Sequence, residues 1–291
     1  MGYNKINASN EEDIPIQENG EAVVNLVDYG FFCEPMYYLR GFAPEPVILA
    51  RKTVAEKLIR VEQRLPAGVR LKIWDAWRHR DVQHTIYDSY LARMRKEFPD
   101  SEESELIRRT RKFVAPPDRP ANPPPHSTGG AIDLTLCDAL GLNLEMGTGF
   151  DHFGPEAGLY YFEKEGHDPA IRDRRRLLGE TMGGEGFAAY EGEWWDYNFG
   201  TQYWAASKGE PFAFFGELKA CNVIAPRMIR FANASDAPQI AKIHVESWKE
   251  AYRGLLPDAY LSSLSIPKRE TAWHEILEKG TTAVLTGRRI A

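Results

Sequence analysis

Apolar positions change their spacing several times along the chain, and each change predicts an element. Residues 1–20 are polar and acidic with no period, which predicts a flexible leader, with order beginning near Ala22-Val23-Val24-Asn25-Leu26-Val27. From Val47 to Leu65, apolar residues at Val47, Leu49, Val54, Leu58, Val61 and Leu65 have close to helical spacing, stopped by Pro66-Ala67-Gly68. Val69 to Trp74 alternates Val69, Leu71 and Ile73 with Arg70 and Lys72, as a half-buried strand does. Asp81 to Phe98 reads as a second helix, ending before Pro99. Ser101 to Val114 reads as a third, with Asp100 as N-cap and Glu103 completing a capping-box-like start. Between Ala115 and Pro125, six of eleven residues are proline, so this segment is neither helix nor central strand but a stiff loop leading to His126. Ala131 to Leu136 reads as a strand, Ile171 to Met182 as a charged helix stopped by Gly183-Gly184, and Trp194 to Trp204 as aromatic and strand-like. Composition shifts between Pro211 and Pro226, after which Met228-Ile229-Arg230-Phe231 reads as a strand and Asp236 to Tyr252 as a helix. The expected organisation is a leader (1–20), a main domain (21–222) and a C-terminal piece (227–291).

The 291 residues are 43% hydrophobic and 27% charged, an ordinary globular composition. A net charge of -6 gives no basic field for nucleic acid. Cys33, Cys137 and Cys221 are too far apart for a metal knuckle or a redox pair. No apolar run reaches membrane-spanning length, and the N-terminus lacks the basic-then-apolar layout of an export signal. The expectation is therefore a cytoplasmic protein with no nucleic-acid or membrane partner.

Three constellations could carry chemistry. In His126-Ser127-Thr128-Gly129-Gly130-Ala131-Ile132-Asp133, a Gly pair permits a tight turn between an imidazole and a carboxylate, both good zinc ligands. By spacing alone, a polar loop histidine and a backbone-satisfying aspartate is the plainer reading. In Glu191-Gly192-Glu193-Trp194-Trp195-Asp196-Tyr197, Glu193 and Asp196 are three apart. One could ligate a metal while the other takes a proton from water, although a solvated acidic turn beside a core tryptophan pair explains the same residues. In Lys72-Ile73-Trp74-Asp75-Ala76-Trp77-Arg78, a strand delivers Arg78 where its guanidinium could stabilise an oxyanion, unless it is a surface arginine paired with Asp75 or Asp81.

Taken in order, Trp-Asp-Ala-Trp-Arg, His-Ser-Thr-Gly-Gly-Ala-Ile-Asp-Leu-Thr-Leu, Met146-Gly147-Thr148-Gly149-Phe150-Asp151-His152-Phe153 and Glu-Trp-Trp resemble the zinc D-alanyl-D-alanine dipeptidases of the VanX type, within the D-Ala-D-Ala metallopeptidase family. The resemblance runs from about Val24 to Ala206. It implies a small α+β metallopeptidase fold with a central antiparallel sheet. It also implies His126 and Asp133 as two of three zinc ligands, Glu193 as the general base and Arg78 as the group that polarises the scissile carbonyl. The family's third ligand is a histidine directly after the tryptophan pair, where this chain has Asp196. A His-Asp-Asp set is more oxygen-rich, which brings Mn2+ or Fe2+ into consideration beside Zn2+. Pro124 stands where the family has a serine that helps hold the substrate's end.

The implied reaction is hydrolysis of D-alanyl-D-alanine or a related small dipeptide by metal-activated water. Asp151 is a candidate carboxylate for the substrate amine, with a structural role an equal alternative. Two other readings stay open because of Asp196 and Pro124: a ligand-binding module that no longer hydrolyses, and a peptidase fold turned to another small amide. Residues 227–291 resemble the opening of a GCN5-type N-acetyltransferase, through Met228-Ile229-Arg230-Phe231 and Ile243-His244-Val245-Glu246-Ser247-Trp248 to Pro257. That fold binds acetyl-CoA on a Gly-rich loop that does not occur before Ala291, so neither acetyl-CoA binding nor acetyl transfer is expected.

Overall fold

A computed structural model describes residues 11–119, 121–219, 228–232, 234–254, 256–279 and 285–288. The chain divides into two compact units, residues 1–225 and 226–291. The first unit begins with β1 (Val23–Asn25), β2 (Phe32–Cys33), the single turn α1 (Met36–Leu39), β3 (Leu49–Arg51) and α2 (Lys52–Arg64). It continues with β4 (Val69–Asp75), α3 (Arg80–Glu97), α4 (Glu103–Thr110), β5 (Ala131–Asp138), α5 (Pro169–Gly184), β6 (Ala188–Ala189), β7 (Asp196–Asn198) and α6 (Gln202–Lys208).

Five strands form one sheet in the order β2-β4-β5-β7-β6. Every pair is antiparallel except β2 with β4, which is parallel, so the expected antiparallel sheet carries one parallel edge. β5 is buried from Ala131 to Cys137 because neighbours cover both its edges and the core covers its faces. The helix α2 buries Val54, Ala55, Leu58 and Val61, the stripe its spacing predicted. Trp194, Trp195, Tyr197 and Phe187 fill the interior beside Leu71, Ile73, Ile132 and Leu134.

Several boundaries differ from the sequence reading. Val47–Arg51 does not extend the helix: Leu49–Arg51 pair with Val23–Asn25 as β3, and the helix starts at Lys52. Both Leu49 and Ala50 are buried, so neighbours on the two faces override helical spacing. The third helix is capped by Glu102 rather than Asp100 and makes no capping box. Gly183 and Gly184 fall inside α5, and only 196–198 of the aromatic stretch is strand, with the helix α6 following under a Thr201 cap. The leader is not loose throughout. Within 11–19, Ile16 bridges to Ala213, Ile14 and Ile16 pack against the cluster of Ala188, Trp204, Ala205 and Ala213, and both Glu18 carboxylate oxygens accept from Arg51 at 2.9 Å. Residues 1–10 lie outside the described residues.

The second unit contains β8 (Met228–Phe231) paired antiparallel with β9 (Leu285–Arg288), and the helices α7 (Ala237–Ala251), α8 (Asp258–Ser263) and α9 (Ile266–Lys279). Ala241, Val245 and Leu261 are buried, and Trp273 Nε1 donates to His244 Nδ1 at 3.2 Å. Among the described residues, no helix is long and apolar enough to cross a membrane.

Candidate active site

Three neighbouring strands deliver a row of carboxylates. Asp75 at the end of β4 stands opposite Asp133 on β5, and Asp133 stands opposite Asp196 at the start of β7. Directly opposed residues project to one face of a sheet, so the three share a face. Asp75 reaches this register only because a bulge follows Ile73, which itself pairs with Leu134. His126 enters from a turn just before β5. Gly129 takes φ +74°, and a Cβ on Gly130 would lie 2.5 Å from the Phe199 carbonyl oxygen, so the turn needs both glycines.

The imidazole is held by one edge. Its Nδ1 lies 2.7 Å from the Ala76 carbonyl oxygen and 3.2 Å from Asp75 Oδ2. A proton on Nδ1 satisfies the carbonyl and leaves Nε2 facing Asp133 Oδ1 at 3.4 Å. That oxygen is buried and accepts no hydrogen bond. An orphaned carboxylate oxygen beside a ring nitrogen at this separation is what two ligands sharing one cation leave when the cation is absent. Asp75, His126 and Asp133 are the group whose ligand atoms lie within 4.8 Å of one another. Asp196, the third ligand expected from the sequence, is not in that group. Its Oδ1 accepts from Asn198 Nδ2 at 3.0 Å.

Arg78 is buried, not a surface group, and is fixed on several sides. It donates to Asp75 Oδ2 from Nε (3.0 Å) and Nη2 (2.7 Å) and to Gln83 Oε1 from Nη1 (2.7 Å), lies 3.6 Å from Asp133 Oδ2, and stacks on Tyr37 at 4.4 Å. Glu193 is buried in the turn before β7, where Asp196 N donates to its carbonyl at 3.3 Å. Asp151, at φ +56°, accepts from Tyr37 OH at 3.2 Å and pairs with Arg40. Arg78, His126, Asp133, Asp151, Glu193 and Asp196 all line one cleft of about 680 Å³.

So many buried acids cannot all stay ionised unaided. Burial, then the Asp133 charge, pushes Asp196 up to about 7. Burial, then Asp196, Asp133 and Asp151, holds Glu193 well above the usual carboxylate range. Burial pushes Asp151 up to about 6 although Arg40 opposes it. Burial would also raise Asp75, but Arg78 and His126 outweigh it and keep Asp75 low. Burial disfavours a charged His126, yet Asp133 raises it well above its ordinary value. A divalent cation beside Asp133 would relieve this crowding, so the donor set fits a metal.

Comparison with known proteins gives the family. Residues 40–211 match the family model described as D-ala-D-ala dipeptidase, peptidase M15. The chain belongs to this family. A D-alanyl-D-alanine dipeptidase of Synechocystis is 28% identical over 223 residues, 66% of this chain and 87% of that protein. One from Escherichia coli is 31% identical over 131 residues, 45% of this chain and 55% of that protein. A separate match of 52 residues, 38% identical, links 18% of this chain to 30% of an uncharacterized N-acetyltransferase of Bacillus subtilis. All the site residues above except Tyr37 fall inside the family match.

Sequence reasoning missed three supports of the candidate site. Asp75 figured only as a partner for Arg78, though its three-residue spacing from that arginine was visible. Tyr37 and Gln83 have no local signal: they reach Arg78 through the fold.

Proposed function

We propose that the first unit is a metal-dependent dipeptidase acting on D-alanyl-D-alanine or a related small dipeptide. The observation that carries this reading is the strand row Asp75, Asp133 and Asp196, with His126 Nε2 facing an unpartnered Asp133 oxygen at the bottom of the cleft. A zinc ion held by His126, Asp133 and Asp196, with Mn2+ or Fe2+ as alternatives, would supply Lewis-acid polarisation of the scissile carbonyl and a more acidic water. Asp196 is preferred to Asp75 as the third ligand. Asp75 Oδ2 already accepts twice from Arg78 and lies on the Nδ1 edge of the imidazole, so it orients the ring rather than sharing the Nε2 side.

Glu193 takes the proton of the attacking water and returns it to the leaving amine. Its raised proton affinity suits a group that must accept and then donate near neutral pH. Arg78, charged at every working pH and locked by Asp75 and Gln83, stabilises the oxyanion without reorganising. Asp151 faces the same cleft and takes the substrate amine. The test is metal content by mass spectrometry together with D-alanine release from D-Ala-D-Ala. We expect about one metal per wild-type chain, much less in Asp133→Ala and Asp196→Ala, and metal-dependent release of D-alanine. Full metal content in Asp196→Ala with loss in Asp75→Asn would move the third ligand to Asp75. Ligand binding without turnover in the loaded protein would favour the binding-module reading.

For the second unit, we infer an acetyltransferase-like opening in β8 and α7, supported by the motif from Ile243 to Pro257 and the 52-residue match to an N-acetyltransferase.

A further inference from the structure

The floor of the cleft is acidic, whereas its mouth carries charges of both signs. Asp133, Asp151, Glu193 and Asp196 line the interior, whereas the cations Arg111, Lys112 and Arg119 line the rim together with Glu11, Glu12 and Glu191. An anionic group entering the cleft finds few free donors on the way. Pro124 and Pro125 form part of the wall and carry no N–H. The next two hydroxyls are engaged: Ser127 Oγ donates to the Pro124 carbonyl at 2.8 Å and Thr128 Oγ1 to that of Pro125 at 2.6 Å. Gln83 Nε2 donates to Ala115 at 2.7 Å, Tyr190 OH to Lys112 at 2.9 Å and Tyr203 OH to Ala189 at 3.0 Å, each to a backbone carbonyl. The side-chain donors that remain at the mouth are Asn122 and the rim cations Arg111, Lys112 and Arg119.

Within that rim, Arg111 and Lys112 are exposed, while the Arg119 side chain is 34% exposed and already paired with a carboxylate. The partner is Glu12, which arrives from the N-terminal strap. The strap is anchored rather than loosely draped. Gln202 Nε2 donates both to the Ile14 carbonyl at 2.7 Å and to the Ala121 carbonyl at 3.0 Å, joining the strap to the proline segment.

We infer that Arg119 takes the free α-carboxylate of the dipeptide substrate, and that Glu12 is an internal carboxylate which the substrate displaces. The inference rests on the dipeptidase reading and deepens it. The anionic interior receives the amine and the rim receives the carboxylate, so a zwitterionic dipeptide is matched at both ends. A peptide blocked at its C-terminus loses the rim contact.

The test compares D-Ala-D-Ala with its C-terminal amide on the full-length, metal-loaded protein. Wild-type turnover of D-Ala-D-Ala reports on the dipeptidase reading alone, and the acid-to-amide ratio reports on Arg119. Arg119→Ala should raise KM for the acid by roughly 10–100-fold, the range of a lost charge-assisted hydrogen bond, with kcat nearly constant and the amide unaffected. Glu12→Gln should act in the opposite direction and lower KM for the acid by about 2–5-fold, as removal of a weak exposed ion pair allows. Arg119→Lys should recover part of the loss. Equal shifts for acid and amide in Arg119→Ala, or no shift in either, would overturn the inference while wild-type turnover upheld the parent reading. If the wild type does not turn over, calorimetric affinities for the two ligands give the same ratio. Its collapse in Arg119→Ala supports the inference, and its persistence or the absence of binding overturns it.

Discussion

The floor of the cleft stands on three paired strands, whereas its mouth is made from a proline-rich segment and an N-terminal strap. On the floor, a backbone ladder places Asp75, Asp133 and Asp196 side by side, and neighbouring charges move the proton affinities of Asp75 and Asp196 in opposite directions. At the mouth, the charges are more exposed, and Arg119 pairs with a single carboxylate, that of Glu12. The difference separates two tasks. Bond-breaking needs charges held without reorganisation in a dry site, and discrimination needs contacts that can exchange with a ligand. Substitutions on the floor should therefore act on kcat or metal content, and those at the mouth on KM.

The sharpest way to break this comparison is Glu193→Gln. We expect kcat to fall by roughly 100–10,000-fold, the usual worth of a positioned general base, with metal content unchanged. A change confined to KM would remove Glu193 from the chemistry. Arg51 connects the two regions. Its Nε donates to the Thr128 carbonyl at 2.8 Å, beside the His126 turn, and its guanidinium binds Glu18 of the strap. Arg51→Met should cost about 1–3 kcal/mol by stranding the buried Thr128 carbonyl, read from urea unfolding. Asp75→Asn should keep the metal but lower kcat/KM by about 10–100-fold, the typical cost of losing a group that orients a ligating histidine.

Asp151 gives a pH signature. Its folded carboxyl is raised to about 6 from the ordinary 3.8, so the folded state holds this proton more tightly than the unfolded chain. That contribution is complete below about pH 4 and is lost as pH rises through about 6, to the extent of about 2–3 kcal/mol. Asp151→Asn should therefore gain on the wild type as pH rises from 4 to 7, measured as the difference in Tm. A constant difference would show that Arg40 neutralises the charge fully.

The resemblance carried by Trp-Asp-Ala-Trp-Arg, His126 to Leu136 and Glu-Trp-Trp placed Arg78, His126, Asp133, Glu193 and Asp196, and all five line one cleft. Strand β4 and helix α3 were legible because one face of each is buried and the other is not, which is what periodicity records. The strand β3 was not, since burial on two faces erases alternation and leaves an apolar run that extends the neighbouring helix pattern.

By itself, the sequence determined the residues available for chemistry, the glycine turn between His126 and Asp133, and the donor-poor proline wall, because these depend on local covalent geometry. The tertiary structure alone decided which acids meet. The bulge in β4 sets Asp75 opposite Asp133, β7 brings Asp196 across from the same residue, and the strap carries Glu12 to Arg119 over 107 residues of chain. Register and chain return are long-range properties: a slip of one residue would turn each side chain to the other face, and no local pattern encodes which strand lies alongside.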